Sequence, residues 1–272
     1  MRVGKPIDRP DAPGEDALET AYDLSGHICM VTGASGGLGS CFAAALAGAG
    51  ARVVATGRRQ SELERVCSEI ASAGGDAHPV VMDVTDAGSV AAAFERAETR
   101  YGTVDVLVNN SGVASGKPAL DLSQADWDRV IDTNLSGAWR VAQISAQRLV
   151  AAGQSGSIIN IASILAYRVA GGVAPYAASK AGLLHLTQAL ALEWARHRIR
   201  VNAIAPGFVL TEMNRTFFES EAGQAVLKRI PQRRLGTPED LVGPLMLLAS
   251  KASGYMTGSC ITVDGGHLQS TL

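Results

Sequence analysis

Ile28-Cys29-Met30-Val31-Thr32-Gly33-Ala34-Ser35-Gly36-Gly37-Leu38-Gly39 is the stretch whose reading decides the fold. Residues 28–32 form a short apolar run bounded by glycine, the length of a buried strand. Residues 38–50 are alanine-rich and close on a glycine, the pattern of a helix with its usual C-terminal stop. Only small residues stand between the two. They let the backbone turn sharply and let a phosphate approach main-chain amides, to which the helix start adds partial positive charge. A glycine run alone also serves as a plain tight turn. Here the strand before it and the helix after it supply the context that a phosphate turn requires.

The same alternation runs through the rest of the chain. Residues 52–56, 78–82, 104–109, 157–162, 200–204 and 260–263 read as further strands. Helical patterns over 60–73, 87–101, 125–152, 176–197 and 238–250 separate them. Strands apolar on both faces, with helices between, predict a parallel sheet covered on both sides. The expected architecture is α/β: a doubly wound seven-stranded parallel sheet with helices on both faces, in a single domain over 24–272. Residues 208–234 break the rhythm, being more polar and irregular, as in a lid over a site. Residues 1–23 are polar, rich in Pro and Asp, and lack the apolar core of a secretory signal, so they read as a flexible N-terminal arm.

Composition narrows the function classes. The chain has 272 residues, is 47% hydrophobic and carries a net charge of −2. With no long basic run, nothing in it calls for nucleic acid or an anionic membrane as partner, and no apolar stretch is long enough to span a bilayer. Cys29, Cys41, Cys67 and Cys260 form no Cys-x-x-Cys pair, and the five histidines are scattered. A disulfide framework and a zinc site are both unexpected, no metal is expected, and the expected compartment is the cytoplasm.

The chemistry concentrates in Pro175-Tyr176-Ala177-Ala178-Ser179-Lys180. A spacing of four puts the Tyr176 phenol and the Lys180 ammonium on one helix face. A nearby cation favours the phenolate and is expected to lower the tyrosine's pKa toward neutrality, making it a proton donor and acceptor for an alcohol or carbonyl. Ser163 stands thirteen residues upstream, at the end of an expected strand, where ligands of open α/β sheets bind. The second strand runs into Gly57-Arg58-Arg59, with no Asp or Glu where a ribose diol is usually held. A guanidinium there pairs with a 2′-phosphate, so NADP(H) is preferred over NAD(H), which stays possible.

Thr-Gly-x-x-x-Gly-x-Gly at 32–39, Asp83-Val84, Asn109-Asn110-Ser111-Gly112, Asn134, Ser163, Tyr176 with Lys180, and Pro206-Gly207 follow one another in order. Over about residues 24–266 the chain resembles the short-chain dehydrogenase/reductase family, with its Rossmann-type fold. It is similar both to 3-oxoacyl-carrier-protein reductases and to sugar or polyol dehydrogenases. Ser111 departs from the alanine usual in that family. The resemblance implies a hydride transfer between a ketone and a secondary alcohol. It implies Tyr176 as acid/base, Lys180 as the group that lowers its pKa and holds the nicotinamide ribose, Ser163 as the hydroxyl that orients the carbonyl, and Asn134 as keeper of a water in a proton relay. It places the cofactor on Gly33, Ser35, Gly37, Leu38, Gly39, Arg58, Asp83, Val84, Asn110, Tyr176, Lys180, Pro206, Gly207, Val209 and Thr211. It implies a homotetramer paired through the long helices. A non-catalytic NADP(H)-sensing regulator is the competing class, and its usual mark, loss of Tyr176, Lys180 or Ser163, is absent here.

Several of these residues have structural readings too. Ser163 can cap a turn, Asn134 can satisfy backbone where its helix bends, Asp83 can cap the helix that follows, and Thr211 can cap a lid helix. Trp127, Trp139 and Trp194 read as packing residues. The pocket walls are expected from 164–174, 113–118 and 208–225, with Leu165, Val169, Val113, Phe208, Met213, Phe217 and Phe218. Arg168, Lys117 and Arg215 could meet an anionic group, with solvent as the alternative.

Overall fold

A computed structural model describes residues 21–211 and 215–270. Residues 1–20 of the expected arm, and Met213 of the expected pocket wall, lie outside them. Seven parallel strands form one sheet in the order β3-β2-β1-β4-β5-β6-β7. They are β1 Ile28–Thr32, β2 Arg52–Gly57, β3 Asp76–Val81, β4 Val106–Asn109, β5 Gly156–Ile161, β6 Ile199–Pro206 and β7 Cys260–Val263. The strand order reverses between β1 and β4, and the crevice beyond their carboxyl ends is where such sheets bind ligands.

The strands alternate strictly between two cores, as a period of two demands. Cys29 and Val31 of β1 join Phe42, Leu46, Val53, Leu63, Leu245 and Leu248 on one face. Ile28 and Met30 join Val54, Phe94, Leu107, Val141, Leu149 and Ile158 on the other. The first face is covered by α1 Gly37–Gly48, α2 Gln60–Ser72 and a later helix Val242–Ala249. The second is covered by α3 Ala87–Arg100 and the long helices described next.

The single helix expected over 125–152 is interrupted. Ser123 opens α4 Gln124–Ile131 with a capping box shared with Asp126. A wider π turn then runs over Asp132–Ser136, and α5 Gly137–Ala151 continues it. A π turn inserts one residue into the hydrogen-bond ladder and often marks a site; here it carries Asn134. The helix expected at 176 begins earlier, as α6 Ala174–Trp194, with Pro175 in its first turn, where the missing N–H costs nothing. The lid expectation gains detail: two short helices, α7 Arg215–Glu219 and α8 Glu221–Leu227, lie in it. Residues 238–241 form a tight 3₁₀ turn before α9 Val242–Ala249. Of the three tryptophans, Trp194 packs on the second core, whereas Trp127 and Trp139 are 40% and 39% exposed. Both stand within helices, α4 and α5, so a place within a helix does not by itself assign a tryptophan to packing. The four cysteines are free thiols. Among the described residues no helix is long and apolar enough to cross a membrane.

At the amino ends of the strands, His27 Nδ1 meets Asp105 Oδ2 at 2.8 Å, and Asp105 Oδ1 accepts from the Ile28 amide at 2.9 Å. The hydrogen bond to Asp105 raises the histidine's pKa against a smaller opposing effect of burial. A group whose folded pKa exceeds its unfolded value of 6.5 stabilises the fold fully below that value, and loses the effect as pH rises through the folded value. His27→Gln is therefore expected to lower the melting temperature relative to wild type more at pH 6 than at pH 9, read by thermal unfolding at both.

Candidate active site

The residues that the sequence assigns to chemistry stand beyond the carboxyl ends of β1 to β6 and on the helices that follow β4 and β5. After β1 the chain enters its glycine turn with Gly33 at φ +66° and Gly37 at φ +55°, the left-handed region that favours glycine. Side chains added at Gly36 or Gly37 would meet no atom within 4 Å, so the amides that open α1 face free space. No side chain caps that helix start. Gly39 differs: a Cβ there would lie 2.2 Å from the Gly33 carbonyl oxygen, so only glycine lets α1 close onto the turn. Leu38 leans against the first core and anchors the helix.

A clamp that sequence reading missed holds this turn to β4. The Thr32 hydroxyl accepts from the amides of Asn110 and Ser111, each at 2.9 Å. Asn110 Nδ2 donates back to the carbonyls of Thr32 at 2.9 Å and Gly33 at 3.3 Å. Asn110 thus shapes the turn through its side chain. The clamp's signals were the Asn109-Asn110 pair and Thr32 at the head of the Thr-Gly-x-x-x-Gly-x-Gly pattern, but neither says that the two would bind each other.

Arg58 is exposed, and its charge lies near enough to Asp83 to favour that carboxylate. Arg59 makes the direct contact: its Nη2 donates to Ser35 Oγ at 3.0 Å, bringing the end of β2 onto the glycine turn. Asp83 accepts from the amide and hydroxyl of Thr85 at 2.9 and 2.8 Å. Burial pushes its carboxyl up, and these bonds with Arg58 outweigh it and leave it below its usual value. The cap of α3 is Asp86, which accepts from the Gly88 amide, so the capping alternative for Asp83 falls away. Val84 is buried against Gly137, where a Cβ would come within 2.8 Å of it.

Ser163 both caps and points into the site. Its Oγ accepts from the Leu165 amide at 3.1 Å, starting a 3₁₀ turn over Ile164–Ala166. It also hydrogen-bonds the Tyr176 phenol. Lys180 is 4% exposed, donates to the Ile161 carbonyl at 2.7 Å, and lies 5.6 Å from the Tyr176 ring centre. Burial pushes the lysine down to about 8. Burial likewise raises the Tyr176 phenol, the Ser163 bond opposing it. This corrects the expectation that Lys180 lowers the tyrosine's pKa. The ammonium is spent on a main-chain carbonyl beneath the ring, and loss of solvent dominates both groups.

Asn134 is committed by its side chain. Oδ1 accepts from the Val113 amide at 2.8 Å, while Nδ2 donates to the Val113 carbonyl at 2.9 Å and to Ser179 Oγ at 3.0 Å. Ser179 in turn donates to the Tyr176 carbonyl at 2.7 Å. The reading in which Asn134 satisfies backbone therefore holds, with both Nδ2 protons committed and one lone pair of Oδ1 in use. A Cβ on Gly112 would lie 3.4 Å from Asn134 Oδ1 and 3.6 Å from Lys180 Nζ, which places the Asn109–Gly112 loop directly over both.

The far wall comes from β6 and the segment after β7. Pro206 ends β6, the Gly207 amide donates to the Val263 carbonyl at 2.8 Å, and a Cβ at Gly207 would lie 2.7 Å from Asp264 Cα. Val209 is buried and bridges to Gly236; Thr211 is half-buried just before residues outside the description, so its capping role is not assigned. Phe208 stacks near Phe218 and His267, each with ring centres 5.5 Å apart. Arg168 does not face solvent alone: its Nη1 donates to the His267 carbonyl at 3.1 Å and to Ser270 Oγ at 3.2 Å. Lys117 pairs with Asp126 at 2.7 Å, and Arg215 is exposed. Val169 is 88% exposed at the rim.

A family model described as enoyl-(acyl carrier protein) reductase matches residues 33–267. The chain belongs to the short-chain dehydrogenase/reductase family. It is an oxidoreductase of that family acting on CH–OH groups. Among its relatives, 2-dehydro-3-deoxy-D-gluconate 5-dehydrogenase of Escherichia coli (strain K12) is 38% identical, over 92% of this chain and 98% of that one. The 3-oxoacyl-(acyl-carrier-protein) reductase of Thermotoga maritima is 37% identical, over 89% and 98%. A crystal structure of a gluconate 5-dehydrogenase from Burkholderia cenocepacia, in complex with NADP and tartrate, is 34% identical with a TM-score of 0.89, over 93% and 100%. The short-chain dehydrogenase/reductase cofactor fits what is seen here: open amides at Gly36 and Gly37, no spare volume at Gly39, and a cationic edge at Arg58 and Arg59.

Asn134→Ala leaves the Val113 amide and carbonyl unpaired, a loss of about 2 kcal/mol for half-buried groups. Urea unfolding should show that loss.

Proposed function

We propose that the chain is an NADP(H)-dependent dehydrogenase of polyhydroxy acids, interconverting a secondary alcohol and a ketone with Tyr176 as acid/base. The observation that carries the reading is the cluster of Ser163, Tyr176 and Lys180 at the end of β5, beside the glycine turn of β1. The substrate class is supported by relatives named for gluconate and 2-dehydro-3-deoxygluconate. The second reading, a 3-oxoacyl thioester reductase, is favoured by the other named relatives and by the apolar rim of Val169 and Phe217.

When bound, the nicotinamide dinucleotide supplies or accepts the hydride. The chain's own part is to hold and move a proton. The Ser163 hydroxyl and the Tyr176 phenol converge, so a substrate oxygen placed between them receives two hydrogen bonds as negative charge grows on it. Tyr176 Oη then delivers the proton, or takes it in the oxidative direction. Lys180 lies under that ring and is the cation nearest the proton path. Gly33, Ser35, Gly37, Leu38, Gly39 and Asn110 would hold the pyrophosphate side, Asp83 and Val84 the adenine, and Pro206, Gly207, Val209 and Thr211 the nicotinamide. Asn134 acts by fixing the loop over Lys180. Trp139, Val150 and Leu192 are exposed on α5 and α6, and that apolar exposure supports pairing of these helices in a homotetramer. The reduced thiols suit the cytoplasm.

Turnover is followed by absorbance of the reduced nicotinamide against gluconate-type acids, polyols and 3-oxoacyl thioesters. Activity confined to the thioesters overturns the sugar-acid reading. Tyr176→Phe should lose at least ~100-fold in kcat while dinucleotide binding persists. With Arg58 and Arg59 in place, kcat/KM is expected to favour NADP(H) over NAD(H) by about tenfold, the worth of one charge-assisted hydrogen bond. Arg58→Asp should reverse the order.

A further inference from the structure

The opposite end of the sheet holds a second cavity, of about 700 Å³, the size of a small-molecule site. Its walls include His27, Asp105, Arg198, Arg200, Lys251 and Tyr255. Gly156 at the start of β5 also lines it, whereas Ser163 stands beyond that strand's other end. Five residue steps of strand separate Gly156 from Ile161, roughly 17 Å, so the cavity is distinct from the catalytic cleft.

Its charge is lopsided. The one carboxylate in its wall, Asp105, is already spent on His27 Nδ1 and the Ile28 amide. Asp23 lies nearby, where it interacts with both His27 and Lys251. Against these stand four basic side chains. Arg200 is fixed by the carbonyls of Leu248 and Ser250 and by Ser253 Oγ, so it answers the carboxyl end of α9. Arg198 uses Nη2 on the Gly153 carbonyl at 2.9 Å. The Lys251 ammonium has no acceptor among the described residues, and His27 has its raised affinity for a proton.

Two further observations concern the same walls. Arg198 has φ 61°, a left-handed position following the 3₁₀ turn Ala195–His197. Glycine is the residue usually found there, and an arginine bears strain for which its place on the cavity wall gives a reason. Tyr255 is fully exposed at the cavity rim, next to Met256. A large ring left in water at the rim of a cavity with basic walls offers a flat apolar surface to part of a ligand.

We propose that this cavity binds a small organic anion, with its acidic head on Lys251, Arg198 and His27 and its flat apolar body along Tyr255 and Met256. The probe is 8-anilinonaphthalene-1-sulfonate, which carries both parts and fluoresces when sheltered from water. It is titrated at pH 6.5 into the full chain with oxidised NADP in excess, so that the catalytic cleft is occupied. Saturable fluorescence should remain. It should weaken about tenfold in Lys251→Glu and in Arg198→Gly, through loss of a charge-assisted contact, and weaken also in Tyr255→Ser. Arg198→Gly relieves backbone strain, so its loss of binding cannot be put down to misfolding. Dehydrogenase kcat/KM should be unchanged in all three.

Displacement of the dye by benzoate or by inorganic phosphate, whichever is stronger, names the acidic head. Displacement by neither overturns the anion site. So does dye binding that NADP abolishes, or that all three variants leave intact. A change of mass by light scattering in Lys251→Glu or Tyr255→Ser also overturns it, since the face would then be a contact between copies.

Discussion

A buried ammonium is the constraint on which the catalytic end of this molecule depends. Taking a lysine out of water is costly, and Lys180 retains one short bond, to the Ile161 carbonyl, at the last residue of β5. That bond fixes the lysine to the strand that delivers Ser163 two residues later. The helix that carries Lys180 also carries Tyr176, so a single contact sets strand end, serine, phenol and amine in one frame. The cost appears as a lysine pushed down to about 8 and a tyrosine pushed up by the same loss of solvent. Loss of solvent at the phenol favours its protonated form. The cation beneath the ring supplies position before it supplies any shift.

The cofactor end is built by a different economy, made of backbone and small polar groups. Thr32, Asn110 and the two amides around Ser111 close the topological switch between β1 and β4 with neutral hydrogen bonds, while Gly39 removes the volume that would hold α1 away. Farther in, Asn109 Nδ2 reaches Asn160 Oδ1 at 3.0 Å, and Asn160 continues to Thr187 at 2.9 Å, a polar thread through the buried joint of β4, β5 and α6. Such a thread fixes the register of those elements more sharply than apolar packing alone does.

Much of this was legible in the sequence because period and punctuation carry it. Two-sided apolar runs marked the strands, and glycines marked both the turn after β1 and the sheet's switch point. The spacing of Tyr176 and Lys180 placed both on one face, and Ser163 fell at a strand end. What sequence reading missed depends on partners far apart in the chain. A bend at Asn134 and a backbone role for its amide were readable, but nothing local names Val113, twenty-one residues away, as the partner or a π turn as the form of the bend. The sign of the tyrosine's shift was misread for a similar reason. Spacing brings two groups together but says nothing of burial, and burial won. Arg59 outdid Arg58 in direct contact because Ser35 lay across the turn, a fact of three-dimensional approach.

The bonds from Arg168 to His267 and Ser270 join the loop after Ser163 to residues that follow β7. Gly207 presses against Asp264 with no room for a methyl group, and Phe208 rests on the His267 ring. Residues 264–270 thus serve as a splint across three strand ends. Exchanging that short segment between homologues is a way to reshape the substrate side of the enzyme while leaving its proton-transfer groups untouched.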